Sequence, residues 1–338
     1  MTTRSAPARV GEPGQLPHHE FERARAYGQE ALSLRTRQTY AEAWADFSDW
    51  CGVRELRTLP ADPETLAGYL ADAADRGRAI ATIRKRAGAI SRAHQLAGFS
   101  ESQNPARDAR VRAALSGIAR SNGTAQKKKD ALTLERLRAA LLALGSDEGA
   151  RHALRVLRDR AVMLLGFAGA FRRAELAALD VADLRWEQEG IVVTLRRSKT
   201  DQEGAGREVA VPRLAVESLC PVRALRAWLD AAAIVSGPLF RTFSLPRGRR
   251  GAIALQENRI DGRDVGRIVQ HATLAAGIEG DFSAHSLRAG FITAAAEKKI
   301  PEVDIARVTG HRSVAVLRGY VRRATVFDDP PLRAIIGS

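Results

Sequence analysis

Cysteine is scarce: Cys51 and Cys220 are the only two in 338 residues, and they lie far apart. That excludes a disulfide framework and a cysteine-rich zinc site, and it suits a reducing cytoplasm. Long apolar runs are also missing. The longest, AVMLLGFAGAF from Ala161 to Phe171, is too short to span a bilayer, and Arg172 and Arg173 close it. The opening residues, MTTRSAPARVGEPG, lack an apolar h-region, so no secretory signal is expected. No internal repeat and no long low-complexity tract occurs. Negative charge is in deficit: 39 Asp and Glu face 53 Lys and Arg, a formal net charge of +14. The absences together predict a cytoplasmic protein with no membrane partner. The excess of positive charge predicts a polyanionic one, most often nucleic acid.

What is present is globular. Apolar residues make up 45% of the chain, enough for two sizeable cores, and ~150 residues per domain predicts two domains. Residues 1–18, rich in Pro, Gly, Thr and Arg, read as a disordered basic tail. From 19 to 120 the pattern is helical, with helices expected over 20–32, 36–51, around Leu66 to Ala73, 82–96 and 109–118. Asp62 is a candidate N-cap before Pro63. Tyr40, Trp44, Phe47 and Trp50 stand at helical spacing and read as core rather than base-stacking platforms.

The polar, basic stretch RSNGTAQKKKD, with Lys127, Lys128 and Lys129, reads as a linker centred on 121–130 that crosses nucleic acid. Residues 131–338 are mixed. Thr133 offers a poor capping box with Arg136. Helices are expected over 133–144, 157–170, 173–179, 221–235, 260–276, 285–299, 301–308 and 313–320. Gly190–Leu195 and Glu208–Val211 read as a hairpin with RRSKTDQEGAG at its tip. The fold class is mainly α with a small antiparallel β-sheet.

The chemistry-bearing residues gather in this second half. Arg172 and Glu175 stand in RRAEL, and Lys199 lies in the hairpin tip. His285 and Arg288 lie in HSLR, His311 in TGHRS and Tyr320 in LRGYVRR. Arginine supplies permanent, bidentate donors for phosphate oxygens. Tyrosine can attack phosphorus and hold it as an ester, while Lys or His moves the proton. Such a set suits phosphoryl transfer by positioning and charge, with no metal and no cofactor. Taken singly, each residue has a bland reading: a solvated helix end for Arg172, a core histidine for His285, a turn residue for His311, a packing side chain for Tyr320.

The ordered set resembles the tyrosine recombinase (phage integrase) family. The order is R-x-x-E-L, hairpin Lys, H-x-x-R, G-H, then Tyr nine residues after that His. The segments TRQTYAEAWADFSDWC and ATIRKRAGAISRAHQLAG resemble the helical core-binding domain of its simple Cre-like and Xer-like members. The resemblance implies a two-domain, C-shaped DNA clamp with a core-binding domain over 19–120 and a catalytic domain over 131–338. It also implies roles. Arg172, preferred to Arg173 by its spacing to Glu175, would hold the scissile phosphate with Arg288 and His311. Glu175 would order the site, Lys199 would be the general acid, and His285 would complete the set. Tyr320 would be the nucleophile that forms a 3′-phosphotyrosine, the ester keeping the bond energy so that no ATP is needed.

Further expectations follow from the same resemblance. The substrate would be double-stranded DNA with an inverted-repeat recombination site, in the cytoplasm at a prokaryotic nucleoid. The protein would be a homotetramer on DNA, exchanging strands through a Holliday junction, and a monomer or weak associate when free. Leu332, Ile335 and Ile336 in the tail 331–338 would dock on a neighbouring protomer. Arg35 and Arg37 on one helix, and Thr82, Arg84, Lys85, Arg86 and Arg92 on another, would lie on the major groove, with Lys and Arg on phosphates. No separate arm-binding domain is expected. The competing readings are a type IB topoisomerase-like strand transferase and a DNA-binding accessory protein that has lost catalysis.

Overall fold

The structure is a computed structural model, and it describes residues 34–123, 129–146, 153–196, 206–244, 254–311 and 318–319. The chain divides into two compact units, Met1–Lys127 and Lys128–Ser338.

In the first unit the described residues form α1 (Leu34–Gly52), α2 (Pro63–Asp75), α3 (Ile80–Leu96) and α4 (Ala109–Asn122). Two single turns, Glu101–Gln103 and Pro105–Arg107, stand before α4. Apolar residues at helical spacing meet inside: Phe47 from α1, Leu66 and Leu70 from α2, Ile83 and Ile90 from α3, and Val111 from α4. Phe47 is fully buried, and Trp44 and Trp50 pack against this core, as their spacing predicted. Asp62 precedes α2 with Pro63 in the first turn, but its side chain caps nothing. The real cap is at α4, where the Asp108 carboxylate accepts from the Arg110 N–H at 2.8 Å. Helix α4 runs to Asn122, beyond the expected stop at Ile118, because a polar exposed face does not end a helix. Gly123 follows at φ 72°.

The second unit holds α5 (Leu134–Ser146), α6 (Ala153–Ala168), α7 (Arg173–Ala178), α8 (Pro221–Ala231), α9 (Gly262–Ala275), α10 (Ala284–Glu297) and α11 (Glu302–Thr309). The longest apolar run of the chain spans the second half of α6 and the turn after it, with Ala161 to Leu165 all in the core. A three-stranded antiparallel sheet is ordered β1 (Leu184–Trp186), β2 (Gly190–Leu195), β3 (Arg207–Pro212). Its register pairs Ile191 with Val211, Val193 with Val209 and Leu195 with Arg207. The residues that alternate inward, Ile191, Val193, Leu195, Val209 and Val211, are the buried ones.

A second sheet, β4 (Arg241–Phe243) with β5 (Leu255–Arg259), was not expected. Its strands are short and polar, and LQENR has no apolar alternation to betray it. Just after the linker, Asp130 exchanges hydrogen bonds with Asp281, and the Leu132 N–H donates to the Ser286 carbonyl at 2.9 Å. The Leu132 carbonyl would meet a Cβ on Gly290 at 1.9 Å, so glycine alone lets this strap lie against α10. Among the described residues, no helix is long and apolar enough to cross a membrane.

Candidate active site

The N-terminus of α7 sets the first pair. The Glu175 carboxylate, three residues into the helix, reaches back and accepts the Arg172 N–H at 2.9 Å, as an N3 glutamate does. Its other oxygen takes the Arg172 guanidinium. The R-x-x-E spacing is therefore a helix-start geometry. Glu175 is buried and Arg172 half-buried, whereas Arg173 is exposed and turned onto Gly262. Of the two arginines, Arg172 faces the site.

Helix α10 supplies the second pair. Ser283 and Ser286 cap it reciprocally: the Ser283 hydroxyl accepts from His285 N–H and the Ser286 hydroxyl from Ser283 N–H. His285 and Arg288 then share one side of the helix. Arg288 is 2% exposed. One nitrogen of its guanidinium donates to the carbonyls of Ala170 at 2.8 Å and Thr309 at 2.6 Å. Ala170 sits at φ 47°, a strained conformation for alanine, after Gly169, whose Cβ would strike the Phe171 ring at 2.2 Å. This bend turns the Ala170 carbonyl to Arg288.

Helix α11 ends in the site. Its last carbonyls have no partner within the helix and carry the negative end of its dipole. Arginines from three elements supply the donors. Arg207 at the start of β3 donates to the Val308 and Arg307 carbonyls, Arg288 to Thr309 and Arg172 to Gly310 at 3.3 Å. Gly310 closes the helix at φ 65°, in the left-handed region that favours glycine, and a Cβ there would come within 2.9 Å of the Arg207 guanidinium.

His311 follows at once. The Thr309 hydroxyl gives its single proton to the Ile305 carbonyl at 2.8 Å, so at 2.7 Å it accepts from His311 Nδ1–H. Nε2 is left to accept from Arg288 at 3.0 Å. Burial, then the charges of Arg288, Arg172, His285 and Arg207, hold the His311 pKa down to about 4, so the ring is neutral at pH 7. His285 is open to solvent, yet crowding by protein atoms and then Arg288 and Arg172 lower its pKa too. The field at both rings is positive, a setting for a phosphate.

The structure thus brings together Arg172, Glu175, His285, Arg288 and His311. Lys199 and Tyr320 lie outside the described residues, as do Lys127, Lys128 and the tail 331–338. Sequence reasoning missed Arg207, Thr309 and the Ala170 carbonyl. Thr309 stood in the TGH signature, whereas Arg207 looked like an ordinary strand residue.

Of the residues predicted to meet DNA, Arg35, Thr82, Arg84 and Lys85 are exposed and Arg37 and Arg92 half-buried. Arg86 is half-buried, is tied to Asp46 and donates to the Tyr69 hydroxyl at 2.8 Å. Lys129 pairs with Asp281.

Residues 147–325 match the phage integrase family. An integrase/recombinase XerD homologue of Selenomonas ruminantium is 40% identical over 298 residues, 88% of this chain and 84% of that protein. The Cre recombinase of Escherichia phage P1 is 23% identical over 306 residues, 87% and 85% of the two chains. The XerH site-specific recombinase, solved on a palindromic difH substrate in a post-cleavage complex, superposes with a TM-score of 0.58. It is 20% identical, over 88% of this chain and 78% of its own, a likeness of fold. These likenesses do not favour the topoisomerase or accessory-protein readings. The chain belongs to the phage integrase family and is a site-specific DNA recombinase of the tyrosine class.

Proposed function

We propose that Tyr320 attacks a scissile phosphate held by Arg172, Arg288 and His311. The tyrosine oxygen bonds to phosphorus, the bond to the 5′ oxygen breaks, and a 3′-phosphotyrosyl ester and a free 5′-hydroxyl result. Neutral His285 takes the phenolic proton, and Lys199 protonates the leaving oxygen. Glu175 holds Arg172 in place. A 5′-hydroxyl from a second strand reverses the chemistry, so the ester stores the bond. Metal and ATP have no part in this scheme. The observation that carries the reading is the convergence of Arg172, Arg288 and neutral His311 on the turn after α11, in a field of positive charge.

The unit containing α1 to α4 would grip the duplex with Arg35, Arg37, Thr82, Arg84, Lys85 and Arg92, and the linker lysines would cross it. The full assembly would be four protomers on two inverted-repeat sites in the cytoplasm, joined by the tails 331–338 and resolving a Holliday junction.

The test is covalent trapping on nicked suicide duplexes drawn from DNA around the gene, with no added metal or ATP, beside a Tyr320→Phe variant. A protease-sensitive shifted band in wild type and none in the variant is expected. DNA that is specifically bound, contains the true site and yields no band would sink the reading.

A further inference from the structure

Arg207 is the first residue of β3, paired with Leu195 at the root of the hairpin. Its side chain is 21% exposed. One guanidinium nitrogen donates to two successive carbonyls at the end of α11, Arg307 at 3.4 Å and Val308. The other lies 3.6 Å from the Glu175 carboxylate. Gly310 packs on the same guanidinium. A planar fork can serve two carbonyls and a carboxylate together, whereas an ammonium acts as a point charge.

Two consequences follow from this placement. The end of α11 is fixed to the sheet, and with it the turn that carries His311. The Glu175 carboxylate also stands between two guanidiniums, that of Arg207 and that of Arg172, whose other nitrogen donates to the Gly310 carbonyl.

We propose that Arg207 is a positioning residue of the recombinase site. By bridging Glu175 and the last carbonyls of α11, it sets the Gly310–His311 turn and the orientation of the Arg172 fork. The proposal rests on the phosphotyrosine chemistry above. The groups that face His311 are Arg172 at α7, His285 and Arg288 from α10, Arg207 from β3 and Thr309 of α11 itself. Arg207 is thus one of the charges that reach it, and removing that charge lets the His311 ring protonate at higher pH.

The experiment compares wild type, Arg207→Met and Arg207→Lys on a nicked suicide duplex under single-turnover conditions at saturating protein, across pH. Arg207→Met should slow covalent-complex formation roughly 10- to 100-fold, the scale of a misplaced reacting group. Its Kd for the duplex should stay within about twofold, because Arg207 is assigned no contact with the phosphates that dominate affinity. Arg207→Lys should recover part of the rate. The acid limb of the rate profile should move to higher pH in Arg207→Met and stay in place in Arg207→Lys, which keeps the charge. A merely structural role would not separate the two variants in this way. If the Met variant melts too early to assay, the Lys variant decides: a slower rate at unchanged Kd supports the proposal, and a wild-type rate overturns it. An unchanged rate in a folded Met variant, or a loss confined to Kd, overturns it while the recombinase reading stands. If wild type itself forms no Tyr320-dependent complex, the recombinase chemistry falls and this role falls with it.

Discussion

Arg86 in the first unit and Arg288 in the second are both largely withdrawn from water, and they are held in different ways. Arg86 closes a network with the Asp46 carboxylate and the Tyr69 hydroxyl, which itself donates to Asp46 at 2.6 Å. Its charge is spent on a neighbouring charge. Arg288 is held by the carbonyls of Ala170 and Thr309 and by a neutral imidazole. A carbonyl fixes a guanidinium through its dipole, whereas a carboxylate also sets a full charge against it. The residue type is the same and the partners differ: a carboxylate and a phenol for Arg86, two carbonyls and an imidazole for Arg288.

The largest expected effect separates these two uses directly. Arg288→Met should slow covalent-complex formation at saturating DNA by roughly 10²- to 10³-fold, as loss of a donor to developing charge does. It should also cost about 1–3 kcal/mol of stability, from carbonyls left without a donor. A stability loss with the cleavage rate of the folded fraction intact would make Arg288 a structural arginine like Arg86.

Arg86→Met should lower stability by about 1–2 kcal/mol, read as a urea midpoint, since Asp46 is partly solvated. The cleavage rate at saturating DNA should not change. If the folded variant loses more DNA affinity than Arg84→Ala, Arg86 belongs to the DNA interface and the comparison breaks.

A further effect is with pH. His311 takes a proton near 6.5 when unfolded and near 4 when folded. Between those values the unfolded chain binds more protons, so stability falls as pH falls through that window. His285 shifts in the same direction. The drop in urea midpoint from pH 7 to 4.5 should be smaller in His311→Gln than in wild type. Equal drops would show that His311 is not held neutral.

Much of the fold is legible in the amino-acid sequence. The helices of the first unit have strong 3.6-residue periodicity, and α1 to α3 lie within three residues of their expected starts and ends. The hairpin of β2 and β3 alternates cleanly and is equally plain. Two kinds of feature are hidden. Strands β1 and β4 are too short to carry a period, and β5 has no apolar alternation. Arg86 and Arg84 are indistinguishable in the sequence, since both are basic residues on one helix. Only the approach of α1 and α2 to α3 puts a carboxylate and a phenol beside one and not the other.

By itself the sequence determined the fold class and the order of the chemical groups, because periodicity and spacing are local properties. R-x-x-E is a helix start, H-x-x-R one side of a helix, and T-G-H a helix end. The tertiary structure alone decided how those groups meet. Arginines from α7, α10 and β3, distant in sequence, come together on the orphan carbonyls of α11. No spacing along the chain encodes that meeting, because packing of the core brings these elements together. The same packing set Arg207 against the carbonyls of Arg307 and Val308, and Arg288 between those of Ala170 and Thr309.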